Sequence, residues 1–281
     1  LISIINVADL KPLESDIWKK FYVNFYSISL KNNVTAKMKY GQQAYDFDKG
    51  TMIFIAPKQI QSVSKSEIFD VKNDCGDGYT LLFHPDFLYG HLLSAEIKQY
   101  SFFSYSVNEA LHLSKQEEDS IIDIFYKIKK EYQHIDKHTQ DIILSQIDLL
   151  LNYSNRFYER QFITRKAVNS DLLIRFEQEI ENYFNHKETQ QNGLPSVEYF
   201  ANKLHLSSHY LSDMLRSVSG QSAKHHIQDK LIEKAKERLS TTQLSISEIA
   251  YELGFEYPQS FSKLFKQKTN QSPLEFRQSF N

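Results

Sequence analysis

One cysteine in 281 residues, Cys75, rules out an intramolecular disulfide framework and any multi-cysteine zinc site. It sits in the Gly/Asp-rich stretch 73–78, where an unreactive loop thiol is expected. Glycine is scarce too, eight residues in all, and neither a phosphate-binding loop nor a dinucleotide-type glycine motif occurs. No run of ~18 apolar residues marks a membrane-crossing helix. The chain opens on Leu1 rather than Met, which leaves room for a processed or absent leading segment. A soluble cytoplasmic protein is the expectation. Positive charge is not in excess either: 33 Lys and Arg stand against 35 Asp and Glu, a formal net charge of −2. From Leu194 onward eleven Lys/Arg face nine Asp/Glu, a net of +2. Any attraction to phosphate must therefore come from how cations cluster, not from bulk charge.

What is present suffices for two cores, since 41% of residues are hydrophobic and 14% aromatic. Residues 21–30, 52–57 and 79–83 are short aromatic or β-branched runs, the last two closed by Pro57 and Pro85. Gly41, Asp48, Lys49, Gly50 and the stretch 73–78 supply turns between them. Strands over about 1–100 in a small barrel or sandwich are expected. Helical spacing then takes over at Ile121, Ile124, Phe125 and Ile128, and again at Ile143, Ile147, Leu150 and Leu151. These two helices, within about 115–160, need a partner for their apolar stripes: the barrel, or the same helices of a second subunit. The polar stretch 164–170 reads as a linker between domains 1–163 and 171–281.

A metal-dependent barrel enzyme needs a His-x-His pair with a carboxylate and a further His. No His-x-His occurs in the first hundred residues, and Gln59-Ile60-Gln61 stands at the comparable place after Pro57. His134 and His138 fall at helical i,i+4 spacing, but Ile135 breaks the metalloprotease pattern and a solvated pair is expected. No catalytic residue, metal or cofactor is expected. The aromatics Tyr22, Phe25, Tyr26, Tyr40 and Tyr45 could line an effector pocket or simply fill the barrel core.

The C-terminal third contains a duplication. Phe200-Ala201, Leu204 and Leu206 match Ile249-Ala250, Leu253 and Phe255 at an offset of 49 residues. After one inserted residue, Leu211, Leu215, Arg216, Gly220 and Gln221-Ser222 match Phe261, Phe265, Lys266, Asn270 and Gln271-Ser272 at an offset of 50. Each copy has a short helix with Ala at a close-packing point, a tight turn with an apolar residue beneath it, and a second helix: a helix-turn-helix. Ser245…Glu248 and Ser272…Glu275 fit capping boxes, Ser207 can cap the first recognition helix, and Gly254 falls where a left-handed residue is needed. Pro258 suits the first turn of the second recognition helix, with Tyr257 held extended before it. A connecting helix over 222–239 spans roughly 25 Å, enough to set the units about one DNA turn apart.

Helical phase places Leu211, Met214 and Leu215 inward in the first unit, leaving His209, Ser212 and Asp213 for base edges and Ser208 and Arg216 for the backbone. In the second, Phe261, Leu264 and Phe265 turn inward. Gln259, Ser260 and Lys263 then point out, Lys266 and Lys268 suit phosphates, and Tyr257 completes the candidate set. Gln259 is the strongest base-edge candidate, because its amide can bond bidentately to adenine.

These residues resemble the AraC/XylS family of bacterial transcription regulators. The resemblance covers 172–280. It rests on Ser207-Ser208-His209-Tyr210-Leu211, Gly220-Gln221-Ser222, Ile249-Ala250…Leu253-Gly254-Phe255, Ser260-Phe261…Phe265-Lys266 and Ser272-Pro273…Phe276-Arg277. It implies an α+β chain: an N-terminal cupin-like barrel with two accessory helices, used for sensing or dimerisation. An all-α domain of about seven helices follows, with helix-turn-helix units at 196–217 and 246–268. It further implies double-stranded promoter DNA, RNA polymerase and a second copy of the chain as partners, with a small-molecule effector of unknown identity. Two positions depart from the family pattern. Asn270 replaces the usual Gly, which Asn tolerates, and Asp213 stands where Arg or a polar residue is common. A carboxylate there accepts from cytosine but repels phosphate.

Overall fold

The computed structural model describes residues 1–7, 22–32, 39–40, 43–44, 50–59, 77–106, 109–164, 166–185 and 188–279. Contacts divide the chain into two compact units, Leu1–Gln161 and Phe162–Asn281. The first is α+β; the second is helical.

Five strands of the first unit form an antiparallel sheet in the order β1 (Ile2–Asn6), β6 (Asp77–Phe83), β2 (Tyr26–Asn32), β5 (Thr51–Ile55) and β7 (Leu111–His112). β3 (Lys39–Tyr40) and β4 (Gln43–Ala44) pair as a separate ribbon. Alternation drives the core: Ile28 and Leu30, Met52 and Phe54, Leu81 and Phe83 all turn inward at 0–4% exposure. On the other side the directly opposed Ser29 and Thr80 share a hydroxyl hydrogen bond of 3.0 Å, which satisfies both on a largely covered face. Among the described residues β1 and β7 are the edges of this sheet, and no pairing closes it.

The strand-rich expectation ends too late. Between Pro85 and Ser104 the chain makes short helical turns instead of strands. Pro85 presets helical φ there, and the His84 ring accepts the Asp86 N–H at 3.2 Å. Of the aromatics expected either to line a pocket or to fill the core, Tyr26 is core, stacked 5.2 Å from Phe83, while Tyr22 is 62% exposed and Phe25 partly so. A shallow polar groove lined by Glu96, Gln99, Tyr100, Asp148, Asn152 and Asn155 holds none of them. The Tyr40 side chain, Tyr45, Ile60, Gln61, Gly41, Asp48, Lys49 and Cys75 lie outside the described residues.

Helix α1 (Lys115–Tyr132) starts at a capping box of Ser114 and Glu117, and α2 (Thr139–Thr164) follows. Ile121, Ile124, Phe125 and Ile128 are buried, as are Ile143, Ile147, Leu150 and Leu151, so both stripes are covered within this chain. Each such side chain contributes about 1.5–3 kcal/mol. Arg160 ties α2 to the start of α1, donating Nη2 to Glu117 at 2.7 Å and to the His112 carbonyl at 2.7 Å. His134 and His138 do not share a helix face. The turn between α1 and α2 separates them, because Asp136 accepts the His138 N–H at 2.7 Å and restarts the helix.

The helical unit runs through α3 (Lys166–Asn185), α4 (Glu188–Asn192), α5 (Val197–Lys203), α6 (Ser208–Ser219), α7 (Ala223–Thr241), α8 (Ile246–Glu252), α9 (Pro258–Thr269) and α10 (Pro273–Gln278). The expected linker 164–170 is helical on both sides of Arg165. The short α4 forms within the polar run 186–193. Leu231, Ile232, Ala235 and Leu239 of α7 build one core with Ile249, Ala250, Phe255, Phe261 and Phe265, while Phe176 and Phe200 pack edge-on at 5.6 Å. No helix among the described residues is long and apolar enough to cross a membrane.

Candidate nucleic-acid interface

Two helix pairs, α5 with α6 and α8 with α9, repeat the same backbone. In each, the residue ending the first helix is followed by one in the left-handed region: His205 at φ 58° and Gly254 at φ 89°. The next N–H then reaches back to the buried alanine, Leu206 to Ala201 and Phe255 to Ala250, both at 2.9 Å. This is a Schellman-type closure, and it satisfies carbonyls that the helix end would orphan. The second helices end alike, with Gly220 at φ 78° and Asn270 at φ 61°. Ser219 and Thr269 hydroxyls each bond the carbonyl four residues back at 2.8 Å. Asn270 thus takes the left-handed role that its small polar side chain permits.

The caps are equally regular. Ser207 accepts the Tyr210 N–H at 3.2 Å, and Ser245 and Ser272 form full capping boxes with Glu248 and Glu275. The backbone N–H of Ser245 and of Ser272 holds the carboxyl of Glu248 and of Glu275 below the usual carboxylate range. Tyr257 is extended at φ −128°, and Pro258 opens α9.

Helical phase decides what these helices offer. At ~100° per residue, Tyr210, Leu211, Met214 and Leu215 define the buried side of α6. His209, Ser212, Asp213 and Arg216 form the opposite stripe; His209 and Arg216 are exposed, and Ser208, Ser212 and Asp213 are half-buried. On α9, Phe261 and Phe265 are buried while Gln259, Lys263 and Lys266 line the far side, all exposed. Ser260 is exposed on the flank of that stripe, and Tyr257 is 60% exposed.

The two stripes differ in charge. Arg216 Nη1 donates to Asp213 Oδ1 at 2.6 Å, so the one cation on the α6 stripe is paired on its own helix. No ion pair of Lys263 or Lys266 occurs among the described residues, whereas Lys268 departs from expectation. It lies about half a turn from the Gln259 stripe, and its Nζ donates to Asp229 of α7 at 2.9 Å. Lys268 therefore fastens α9 to the connecting helix. Sequence reasoning set His205 opposite Gly254 in the turn but missed its left-handed backbone, and it missed α4. The 49-residue offset carried the first signal; nothing in the polar run 186–193 carried the second.

A helix-turn-helix domain model matches residues 200–279. The chain is similar to the uncharacterized HTH-type transcriptional regulator YfiF of Bacillus subtilis, 33% identical over 137 residues, which are 48% of this chain and 40% of that protein. It thus spans less than half of that relative. It is 30% identical over 82 residues to the regulatory protein SoxS of Salmonella typhimurium, covering 29% of this chain and 77% of SoxS. Among solved structures, the C-terminal domain of the two-component response regulator yesN of Fusobacterium nucleatum is 34% identical. That likeness covers 36% of this chain and 95% of that domain, with a TM-score of 0.31.

Proposed function

Because the chain belongs to the AraC family of helix-turn-helix transcription regulators, we propose that it controls promoters by gripping double-stranded DNA with two helix-turn-helix units, 196–217 and 246–268. α6 and α9 enter successive major grooves on one face. The 19-residue α7 between them spans ~28 Å, close to the ~34 Å of one DNA turn. The observation that carries this reading is the exposed stripe of α9. Gln259 offers an amide suited to adenine, with Lys263 and Lys266 one and two turns further on.

The second unit anchors the protein and the first adjusts its fit, since Asp213 already engages Arg216. Residues 1–163 act as a cupin-like sensing or dimerisation domain for an unidentified small effector. With both α1 and α2 stripes covered in-chain, a homodimer uses another surface. Ile142 and Leu149, seven residues apart on α2 and 42% and 40% exposed, support the outer face of that helix. RNA polymerase is the downstream partner, and the protein acts in the cytoplasm.

The decisive test is a quantitative shift assay on genomic fragments bound by the wild-type chain, at one fixed salt concentration. The double variant Gln259→Ala/Lys263→Ala should lose about 1–3 kcal/mol of specific binding, the worth of a bidentate base contact. Unchanged affinity would remove α9 from the interface.

A further inference from the structure

The five-residue helix α4 lies between the two helix pairs and bonds to both. Toward the first pair, a carboxylate oxygen of Glu188 accepts a short hydrogen bond from the Tyr199 hydroxyl. Lys203, on the same helix α5 as Tyr199, lies 3.9 Å from Glu188 and 3.6 Å from Glu179. Toward the second pair, the buried Thr189 hydroxyl donates to the Glu252 carbonyl at the end of α8, at 2.7 Å.

Immediately after α4 the backbone of Gly193 meets the turn of the second unit. A Cβ added to Gly254 would lie 2.5 Å from both the carbonyl carbon and oxygen of Gly193. Such backbone-to-backbone approach is available only to glycine. Gly193 is itself held in place, because its N–H donates to the Thr189 carbonyl at 3.0 Å and its carbonyl accepts the Tyr183 hydroxyl at 3.1 Å. The ring of Tyr183 in turn meets Tyr199 edge-on at 4.9 Å.

Besides α7, the two recognition helices are thus joined laterally through Tyr199, α4, Gly193 and the Gly254 turn. A single helical connection leaves bending and twisting free, whereas a second, lateral tie closes a rigid frame. The geometry points to a spacing device. Thr189, Gly193 and Gly254 form a clasp that fixes the separation of the recognition helices, and so sets the distance between half-sites that the protein accepts. These are positioning residues, which touch no DNA. The inference rests on the two-unit DNA-binding reading above.

Its physical consequence is specific. Each base pair inserted between half-sites moves one of them by ~3.4 Å and ~34° relative to the other. A rigid frame must pay for that mismatch in lost contacts, whereas a loosened one can follow the DNA.

The test uses the full chain and duplexes derived from the best genomic fragment bound by the wild type, with the inter-half-site spacer altered by one base pair either way. Wild-type affinity should drop roughly tenfold on each altered spacer, comparable to one mismatched base pair. Thr189→Val, which keeps shape but removes the donor, should flatten that profile while leaving affinity for a single half-site unchanged. Thr189→Ser should restore it. In parallel, spin labels at Ser212→Cys and Lys263→Cys in a Cys75→Ser background report the distance between α6 and α9 without DNA. A narrow distribution is expected for the wild type and a broad one for Thr189→Val. A broad wild-type distribution, or a Thr189→Val spacer profile identical to wild type, overturns the clasp. If the wild type binds no duplex, the DNA-binding reading falls and the spacing role falls with it, while the spin-label distances still report the frame.

Discussion

Arg216 reaches back one helical turn to donate to Asp213 at 2.6 Å, and both stand on the outward stripe of α6. The contact is an i,i+3 ion pair with Arg216 58% and Asp213 21% exposed, so its own contribution to stability is no more than ~1 kcal/mol. If α6 enters a major groove as proposed, the pair would occupy the guanidinium that could otherwise meet a phosphate, and would present a carboxylate to a polyanion. Asp213→Asn should therefore raise affinity for arbitrary duplex DNA. It should also steepen the slope of log affinity against log salt by ~0.9, the signature of one added phosphate contact. An unchanged slope would show that Arg216 stays away from the DNA backbone.

Lys266 and Lys268 differ by two positions yet stand in different surroundings. Lys266 is exposed on the stripe, and Lys268 is paired with Asp229 at 2.9 Å. Lys266→Ala should flatten the salt slope by ~0.9, as expected for one lost phosphate contact. Lys268→Ala should leave the slope nearly unchanged and cost at most ~1 kcal/mol of stability through the lost partly exposed pair. Equal losses of slope from both variants would contradict this division.

The contrast also shows what the sequence made legible. Periodicity separated inward from outward residues on α6 and α9, because Leu211 and Leu215, like Phe261 and Phe265, recur one helical turn apart. Caps were legible because Ser…Glu and Tyr-Pro are local chemistry. Lys268 was not, since its partner Asp229 lies 39 residues away, and no local rule connects them. The clasp was hidden for the same reason: Gly193 and Gly254 meet only after α3, α4 and α8 are packed. In the first unit, strands 51–55 and 77–83 fall on the short apolar runs 52–57 and 79–83, but nothing in those runs announced the helical turns after Pro85. The turns expected around Gly41 and Cys75 fall outside the described residues.

His205 and Gly254 occupy equivalent left-handed positions at φ 58° and 89°, and Gly254 faces the backbone of Gly193. Gly254→Ala should destabilise the chain by more than ~1 kcal/mol, because an L residue is strained at that φ and its Cβ would collide with Gly193. His205→Gly should be neutral or stabilising by up to ~1 kcal/mol, relief of left-handed strain being partly offset by a freer unfolded chain. Urea unfolding followed by helical circular dichroism compares the two directly. A Gly254→Ala chain as stable as wild type would mean that the Gly193 approach is not as close as described.

Acid should loosen the joint between α3 and α7. Glu181 accepts from Lys230 at 2.6 Å and from Lys234 at 2.7 Å, and the hydrogen bond from Lys230, with that from Lys234, lowers its pKa from 4.5 to about 2. A shift of that size in a buried carboxylate would correspond to ~3 kcal/mol. Glu181 is 38% exposed, however, so solvent screening reduces the expected contribution to ~1 kcal/mol or less. The folded value lies below the unfolded one. The stabilisation is therefore complete above about pH 4.5, shrinks as pH falls, and is gone near pH 2. Melting temperatures of wild type and Glu181→Gln should differ most above pH 5 and converge toward pH 2. A constant gap across that range would mean that Glu181 acts by packing rather than by charge.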